Sequence, residues 1–259
     1  MRRALLPVLV LIAFIALWEM LAQTGALASI LGIKESVSDR LVPAPSAVAE
    51  SLWEDRGILA SNGWVTLVEI LAGFALSVVA GVAFALFLHA YDPLRRAFYP
   101  LLVASQTIPI VTLAPILVIW LGFGIAPKIA IIAFWGFFPV TVNTFDGLRG
   151  VNPAAIRMMR TLDASRFTII RRLELPAALP KLLSGARIAA VVAVIGAVFA
   201  ELAGANEGLG HLITQAQASL LSARVFAAVV VLSAFAIALF GLISLIERRF
   251  AWWGDRGIG

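Results

Sequence analysis

Residue types that can do chemistry are sparse in this chain, and one segment concentrates them. Between Asn152 and Arg187, NPAAIRMMRTLDASRFTIIRRLELPAALPKLLSGAR carries Arg157, Arg160, Arg166, Arg171, Arg172 and Lys181 between strongly apolar stretches. Cysteine is absent, which excludes disulfides, thiolate metal sites and Cys nucleophiles. His89 and His211 are far apart and form no ligand motif. Glu69 and Glu201 fall inside apolar runs, where a charged group costs about 3 kcal/mol on insertion scales, so each needs a reason to be there. Glu69 reads as a helix-packing acid near an interface. Glu201, in AVFAELAG, either reaches the outer surface or pairs with another helix. The neutral polar groups Gln106, Thr107, Thr112, Asn143 and Thr144 sit near Pro109, Pro115 and Pro139. Such prolines free backbone carbonyls, which is tolerated where the backbone faces protein or a water-filled cavity. Gln106 and Asn143 are therefore candidates for lining a path, with interhelical hydrogen bonding as the other use. Gly204, Gly208 and Gly210 match a phosphate-binding glycine pattern only loosely and follow no strand.

The elements that must position these residues are membrane helices. Hydrophobic residues make up 61% of the 259 residues and charged residues only 14%, against about 25% in soluble domains. That composition predicts an all-α polytopic membrane protein. Apolar runs place six spans at about 4–23, 64–89, 98–123, 128–145, 188–203 and 225–246. With the N-terminus inside, 15 of the 20 Lys and Arg fall on the cytoplasmic side. Lys34, Arg40, Arg56, Lys128 and Arg224 remain outside, and the inverted orientation would violate this bias. Both termini are then cytoplasmic. The net charge of +5 reflects short basic loops beside the spans rather than a nucleic-acid surface. Met-Arg-Arg, an apolar run and Ala26-Leu27-Ala28 outline a signal peptide, but the run is long for one and its removal would break the charge parity. In the outer segment 42–58, Ser46 is expected to cap a short helix bearing Glu50 and Trp53. Trp53 and Trp64 suit the outer interface, Trp252 and Trp253 the inner one.

The basic insert reads as two short helices with a break. Asn152-Pro153 opens the first, because proline suits a first turn. Ile156, Met159 and Leu162 recur at helical spacing along one apolar face, with Arg157 and Arg160 beside it. Asp163 falls where that helix ends, and Ala164-Ser165 begins a second with Phe167, Ile169, Ile170 and Leu173. Pro176 and Pro180 are expected to redirect the chain before the fifth span. Two uses fit: a solvated amphipathic loop that sets topology, or a rigid element whose apolar ridge enters a groove on a cytosolic partner.

From Arg157 to Pro176 the insert resembles the EAA loop of ABC importer permeases, E-A-A, three residues, G, nine residues, I-x-L-P. Leu173 stands for the Ile, and Leu175 and Pro176 match. Arg157 replaces the Glu, Met158 and Met159 the two Ala, and Asp163 the Gly. Asp tolerates the left-handed conformation better than most residues, so the turn survives. The flanks, SQTIPIVTLAPILVIWLGFGIAPKI, FFPVTVNTFDGLRGVNP and AVIGAVFAELAGANEGLG, resemble the nitrate/sulfonate/taurine-type permeases over nearly the whole chain. The wording MMRTLDASRF, VNTFDGLR and VIGAVFAE is most similar to the thiamine-precursor (hydroxymethylpyrimidine) permeases.

This resemblance implies one transmembrane permease domain over 1–259, of the type I ABC importer (MetI-like) fold, in a bacterial inner membrane. It implies a homodimer in the bilayer, two ATPase subunits below and a solute-binding protein above. ATP and Mg would be bound by the ATPase, and no Walker sequence occurs here. Coupling would fall to Arg157, Met158, Met159, Arg160, Thr161, Leu162, Asp163, Ala164, Ser165, Leu175 and Pro176. Gln106, Asn143 and Glu201 would lie along the path, Glu201 near its outer end. The implied cargo is a thiamine-precursor pyrimidine, with nitrate, an alkanesulfonate, taurine or a riboflavin-like heterocycle as alternatives on the same machinery. A membrane enzyme would need clustered acids, histidines or a nucleophile. A stand-alone secondary transporter would carry inverted repeats, which are not evident.

Overall fold

A computed structural model describes residues 2–24 and 41–251. Ala26–Ala28, Lys34, Arg40, Trp252, Trp253 and Arg256 lie outside the described residues. The helices are α1 (Arg2–Gln23), α2 (Pro45–Glu54), α3 (Arg56–Ala90), α4 (Asp92–Ser105), α5 (Ile110–Leu121), α6 (Ile125–Arg149), α7 (Pro153–Thr161) and α8 (Arg166–Ile169). A π-helical turn (Ile170–Glu174) leads into α9 (Leu175–Leu202), followed by α10 (Leu209–Ala218) and α11 (Ser222–Phe250). Among the described residues α3, α6, the run Arg166–Leu202 and α11 are long and apolar enough to cross a membrane. Leu9–Gln23 and Val111–Leu121 are shorter apolar helices.

Three expectations give way here. The stretch 98–123 is not one span, because α4 stops at Ser105 and α5 starts at Ile110. Pro109 disfavours helix at the residue before it and becomes the N-cap of α5. Pro176 and Pro180 do not redirect the chain: helix continues from Arg166 to Leu202. The last N–H before Pro176, that of Leu175, reaches back five residues to the Ile170 carbonyl. This wider turn lets Pro176 enter as a first-turn residue of α9, where its missing donor is harmless. Ser46 is not a cap. Pro45 opens α2 behind Ala44, and the Ser46 hydroxyl instead donates to Glu19 Oε1 at 2.7 Å.

The chain divides into two compact units, residues 1–65 with 206–233 and residues 66–205 with 234–259. In the first, Trp18 packs on Phe226 with ring centroids 5.7 Å apart, and Arg224 forks onto Asp55 at 2.6 and 2.9 Å. The second is seamed by α6 against α9. Ala189, Ala190, Ala193 and Ala197 of α9 are wholly buried. A Cβ on Gly185 would lie 2.6 Å from the Pro139 carbonyl, and one on Gly147 would lie 2.9 Å from Ala178 Cα. Small residues let these helices approach backbone to backbone, which is how packing is gained where lipid removes the hydrophobic drive between helices.

Candidate functional site

The basic insert is built by local capping. Asn152 Oδ1 accepts from the Ala154 N–H at 2.8 Å, and Pro153 follows in the first turn of α7. At the other end Asp163 N–H donates to the Arg160 carbonyl and Ala164 N–H to that of Met159, at 3.0 and 3.1 Å. Those two bonds make a Schellman end with Asp163 in the left-handed position, φ +53°. The aspartate thus takes the conformation that a glycine normally supplies. Ser165 Oγ accepts from the Thr168 N–H at 3.2 Å and starts α8.

The apolar residues of this segment divide in a way that periodicity did not foresee. Ile156 and Met159 are half-buried, whereas Met158, Leu162 and Phe167 are 66, 69 and 71% exposed. Large exposed apolar side chains of this kind mark protein or membrane interaction sites. Arg157, Arg160 and Thr161 are exposed beside them, while Leu175 is half-buried and Pro176 exposed at the head of α9.

Behind this surface lies a buried carboxylate that sequence reasoning missed. Glu174, the last residue of the π turn, is 1% exposed. Its Oε1 accepts from Arg166 Nη1 at 2.9 Å, and its Oε2 is 2.8 Å from His89 Nε2 at the end of α3. Arg166 Nη2 also lies 3.0 Å from that same His89 nitrogen. One imidazole nitrogen either donates to the carboxylate or accepts from the guanidinium, never both. Either way Glu174 ties α3, the start of α8 and the head of α9 together. The usable signal was a lone acid in RRLELP, surrounded by bases at a span boundary.

The path candidates separate. Gln106 and Asn143 line one cavity of about 380 Å³ with Trp135, Phe138, Pro139, Val142, Ile188 and Val192. Asn143 Nδ2 donates to the Pro139 carbonyl of its own helix at 2.8 Å. That bond leaves its side-chain oxygen available to the cavity. Glu201 is not among these lining residues. It is buried in α9 and accepts from Thr66 Oγ1 at 2.6 Å. Glu69, also buried, pairs with Lys128 Nζ at 2.6 Å, consistent with a packing acid.

A family model described as "Binding-protein-dependent transport system inner membrane component" matches residues 73–252. The chain is 36% identical to a probable ABC transporter permease protein of Haemophilus influenzae, covering 96% of this chain and 98% of that one. It is 36% identical to the formylaminopyrimidine transport permease protein ThiX of Halalkalibacterium halodurans, covering 97% and 96%. Among solved structures, the inward-facing methionine ABC transporter MetNI superposes with a TM-score of 0.62 at 19% identity. That match covers 74% of this chain and 98% of the other, and it shows a shared fold.

Proposed function

The chain belongs to the family of binding-protein-dependent transport system inner membrane components, and on that premise we propose which solute it carries and how it is driven. It is the membrane permease subunit of an ABC importer, of type I fold, and not itself an enzyme. The proposed cargo is a thiamine-precursor pyrimidine of the hydroxymethylpyrimidine class.

One observation carries this reading: the cavity holding Gln106 and Asn143 has aromatic walls, two carboxamides and no charged lining residue. A flat aminopyrimidine stacks on rings such as Trp135 and Phe138. Carboxamides offer both donors and acceptors to its ring nitrogens and amino group. Nitrate or a sulfonate would shed hydration there with no cation in return, which is costly. The named substrate of the Halalkalibacterium relative supports the same class.

The 259 residues act as one permease domain that pairs with a second copy, its N- and C-termini cytoplasmic as the charge bias requires. Two ATPases bind ATP and Mg below, and a solute-binding protein delivers cargo above. ATPase closure moves the segment Arg157–Ser165, and Glu174 passes that motion to α3 and α9. The two membrane halves then alternate access to the cavity, while Glu201 acts as a fixed polar group toward the outer end of the route.

Reconstitution with a co-purifying ABC ATPase and a solute-binding protein tests this. Labelled hydroxymethylpyrimidine should enter proteoliposomes with ATP, and nitrate, taurine or riboflavin in excess should not compete. Competition by one of these would reassign the cargo, and failure of any ATPase to co-purify would sink the coupling reading. Leu162→Asp places a charge on the exposed ridge. It should leave membrane insertion intact and ATP hydrolysis running, with uptake lost.

A further inference from the structure

A cavity lined by three arginines serves neither the coupling ridge nor the solute cavity. Arg95, Arg96, Tyr99 and Pro100 of α4 face Phe145, Asp146 and Arg149 of α6 around about 580 Å³. Arg95 and Tyr99 on α4, like Phe145 and Arg149 on α6, stand at i and i+4, a spacing that shares one helical face. The floor is aromatic: the Tyr99 and Phe145 ring centroids are 6.1 Å apart, and Phe145 packs into the core with Leu88 and Leu102. The rim is cationic. Arg96 and Arg149 set two guanidiniums against Asp146, the one carboxylate among the described lining residues, and Arg149 leans over Phe145 at 5.7 Å. Lys181 Nζ adds a further positive charge nearby, donating to the Asp146 backbone carbonyl at 3.3 Å.

Like charges gathered around one space repel unless an anion occupies it. Planar guanidinium forks match the oxygens of a phosphate ester two at a time. The aromatic floor gives such a ligand an apolar surface to rest on, so an amphiphile fits better than a bare ion. The position agrees: α6 ends at Arg149, three residues before the coupling segment, and α4 begins directly after the long membrane helix α3. Basic pockets between membrane helices at the cytoplasmic side are where anionic lipid head groups bind. The cargo has no claim on these cations, because the solute cavity is uncharged.

We propose that this cavity binds a phosphate ester anion, supplied by the head group of an anionic phospholipid in the inner leaflet. The choice of leaflet rests on the orientation given above. The binding chemistry does not, so the test is independent of cargo and of topology.

The permease–ATPase complex, purified in mild detergent, is titrated with phosphatidylglycerol and separately with phosphatidylcholine, and bound lipid is read by native mass spectrometry. Phosphatidylglycerol should be retained in preference, and the preference should weaken with salt. Arg96→Gln and Arg149→Gln should each lower phosphatidylglycerol affinity about fivefold, the worth of one basic residue beside an anionic surface. Arg96→Lys and Arg149→Lys should lose less, and monodisperse elution establishes that each variant is folded. Equal retention of the two lipids, or folded Gln variants that hold phosphatidylglycerol like the parent, overturns the proposal. Displacement of phosphatidylglycerol by millimolar inorganic phosphate would assign the site to free phosphate and overturn the lipid source. Loss of the ATPase from these variants, with lipid preference unchanged, would assign the arginines to protein docking and overturn it as well.

Discussion

Glu69 and Glu174 are equally buried carboxylates, yet their surroundings differ in kind. Glu69 pairs with Lys128, and its neighbour Glu201 takes the Thr66 hydroxyl. All four residues belong to α3, α6 and α9, and α6 and α9 already meet along the small-residue seam. Glu174 instead reaches Arg166, which is 46% exposed, and His89 at the tip of α3. The segment it ties down is short: α8 is four residues long, and α7 has no buried residue. Burial therefore makes both carboxylates expensive to disturb, but only one of them sets the position of something otherwise loosely held. A stability measurement alone would not tell them apart, whereas a coupling measurement would.

The largest expected effect follows from removing one partner. Arg166→Met or Lys128→Met leaves a buried carboxylate without its cation, a change worth about 3–5 kcal/mol when the pair is buried. Both variants should melt well below the parent, and uptake should fall in each. Paired replacement then separates them. Glu69→Gln with Lys128→Met removes both charges and should recover stability to within about 1 kcal/mol, with uptake restored. Glu174→Gln with Arg166→Met should recover the melt, yet leave ATP hydrolysis running without uptake. If the second pair regains coupled uptake, the distinction collapses and Glu174 is only a packing residue.

A smaller effect probes the seam on which the first cluster leans. A Cβ at Gly185 meets backbone, the Pro139 carbonyl at 2.6 Å and Val140 Cα at 3.2 Å, and neither is a flexible side-chain end. Gly185→Ala should cost about 1–3 kcal/mol as α6 and α9 are forced apart. At Gly57, also helical, a Cβ meets nothing within 4 Å. Gly57→Ala should there raise stability by up to about 1 kcal/mol through helix propensity alone. Equal melting shifts at the two glycines would show that the seam is not close-packed. The Glu69 cluster would then have to position its helices much as Glu174 does.

How much of this was legible depends on the range over which each feature is determined. The caps at Asn152 and Ser165 and the turn at Asp163 are fixed within a few residues, so side-chain chemistry revealed them. The apolar runs revealed most spans for the same reason. Pro176 misled because a proline's effect depends on the turn before it. A π turn ending at Glu174 converts a helix breaker into a first-turn residue, and composition does not announce π turns. The Glu174–His89 contact joins residues 85 positions apart, and no local rule reaches that far. Gln106 and Asn143 were singled out for their polarity beside prolines. Their shared cavity, and the exclusion of Glu201 from its lining, come from the break between α4 and α5 and from the α6–α9 packing.

The smallest effect belongs to a third carboxylate, Asp55, which is held like Glu69 by one cation but near water. Arg224 Nε and Nη2 donate to its two oxygens at 2.9 and 2.6 Å, and Ser51 Oγ adds a bond at 2.8 Å. The Arg224 hydrogen bonds hold the Asp55 carboxyl below the usual aspartate range. An unfolded aspartate titrates near pH 4, so the stabilisation is complete above that point. It is lost as pH falls through the lower folded value. Because both side chains reach solvent, the pair is worth at most about 1 kcal/mol. Asp55→Asn should therefore melt slightly below the parent at neutral pH, with a gap that stays level down to about pH 4 and closes below it. Salt should narrow the same gap, whereas the loss in Lys128→Met should barely respond to salt, since buried pairs are screened far less. A gap at Asp55 that persists undiminished in acid would mean that the fork is packing rather than charge, and that all three carboxylates are held by shape.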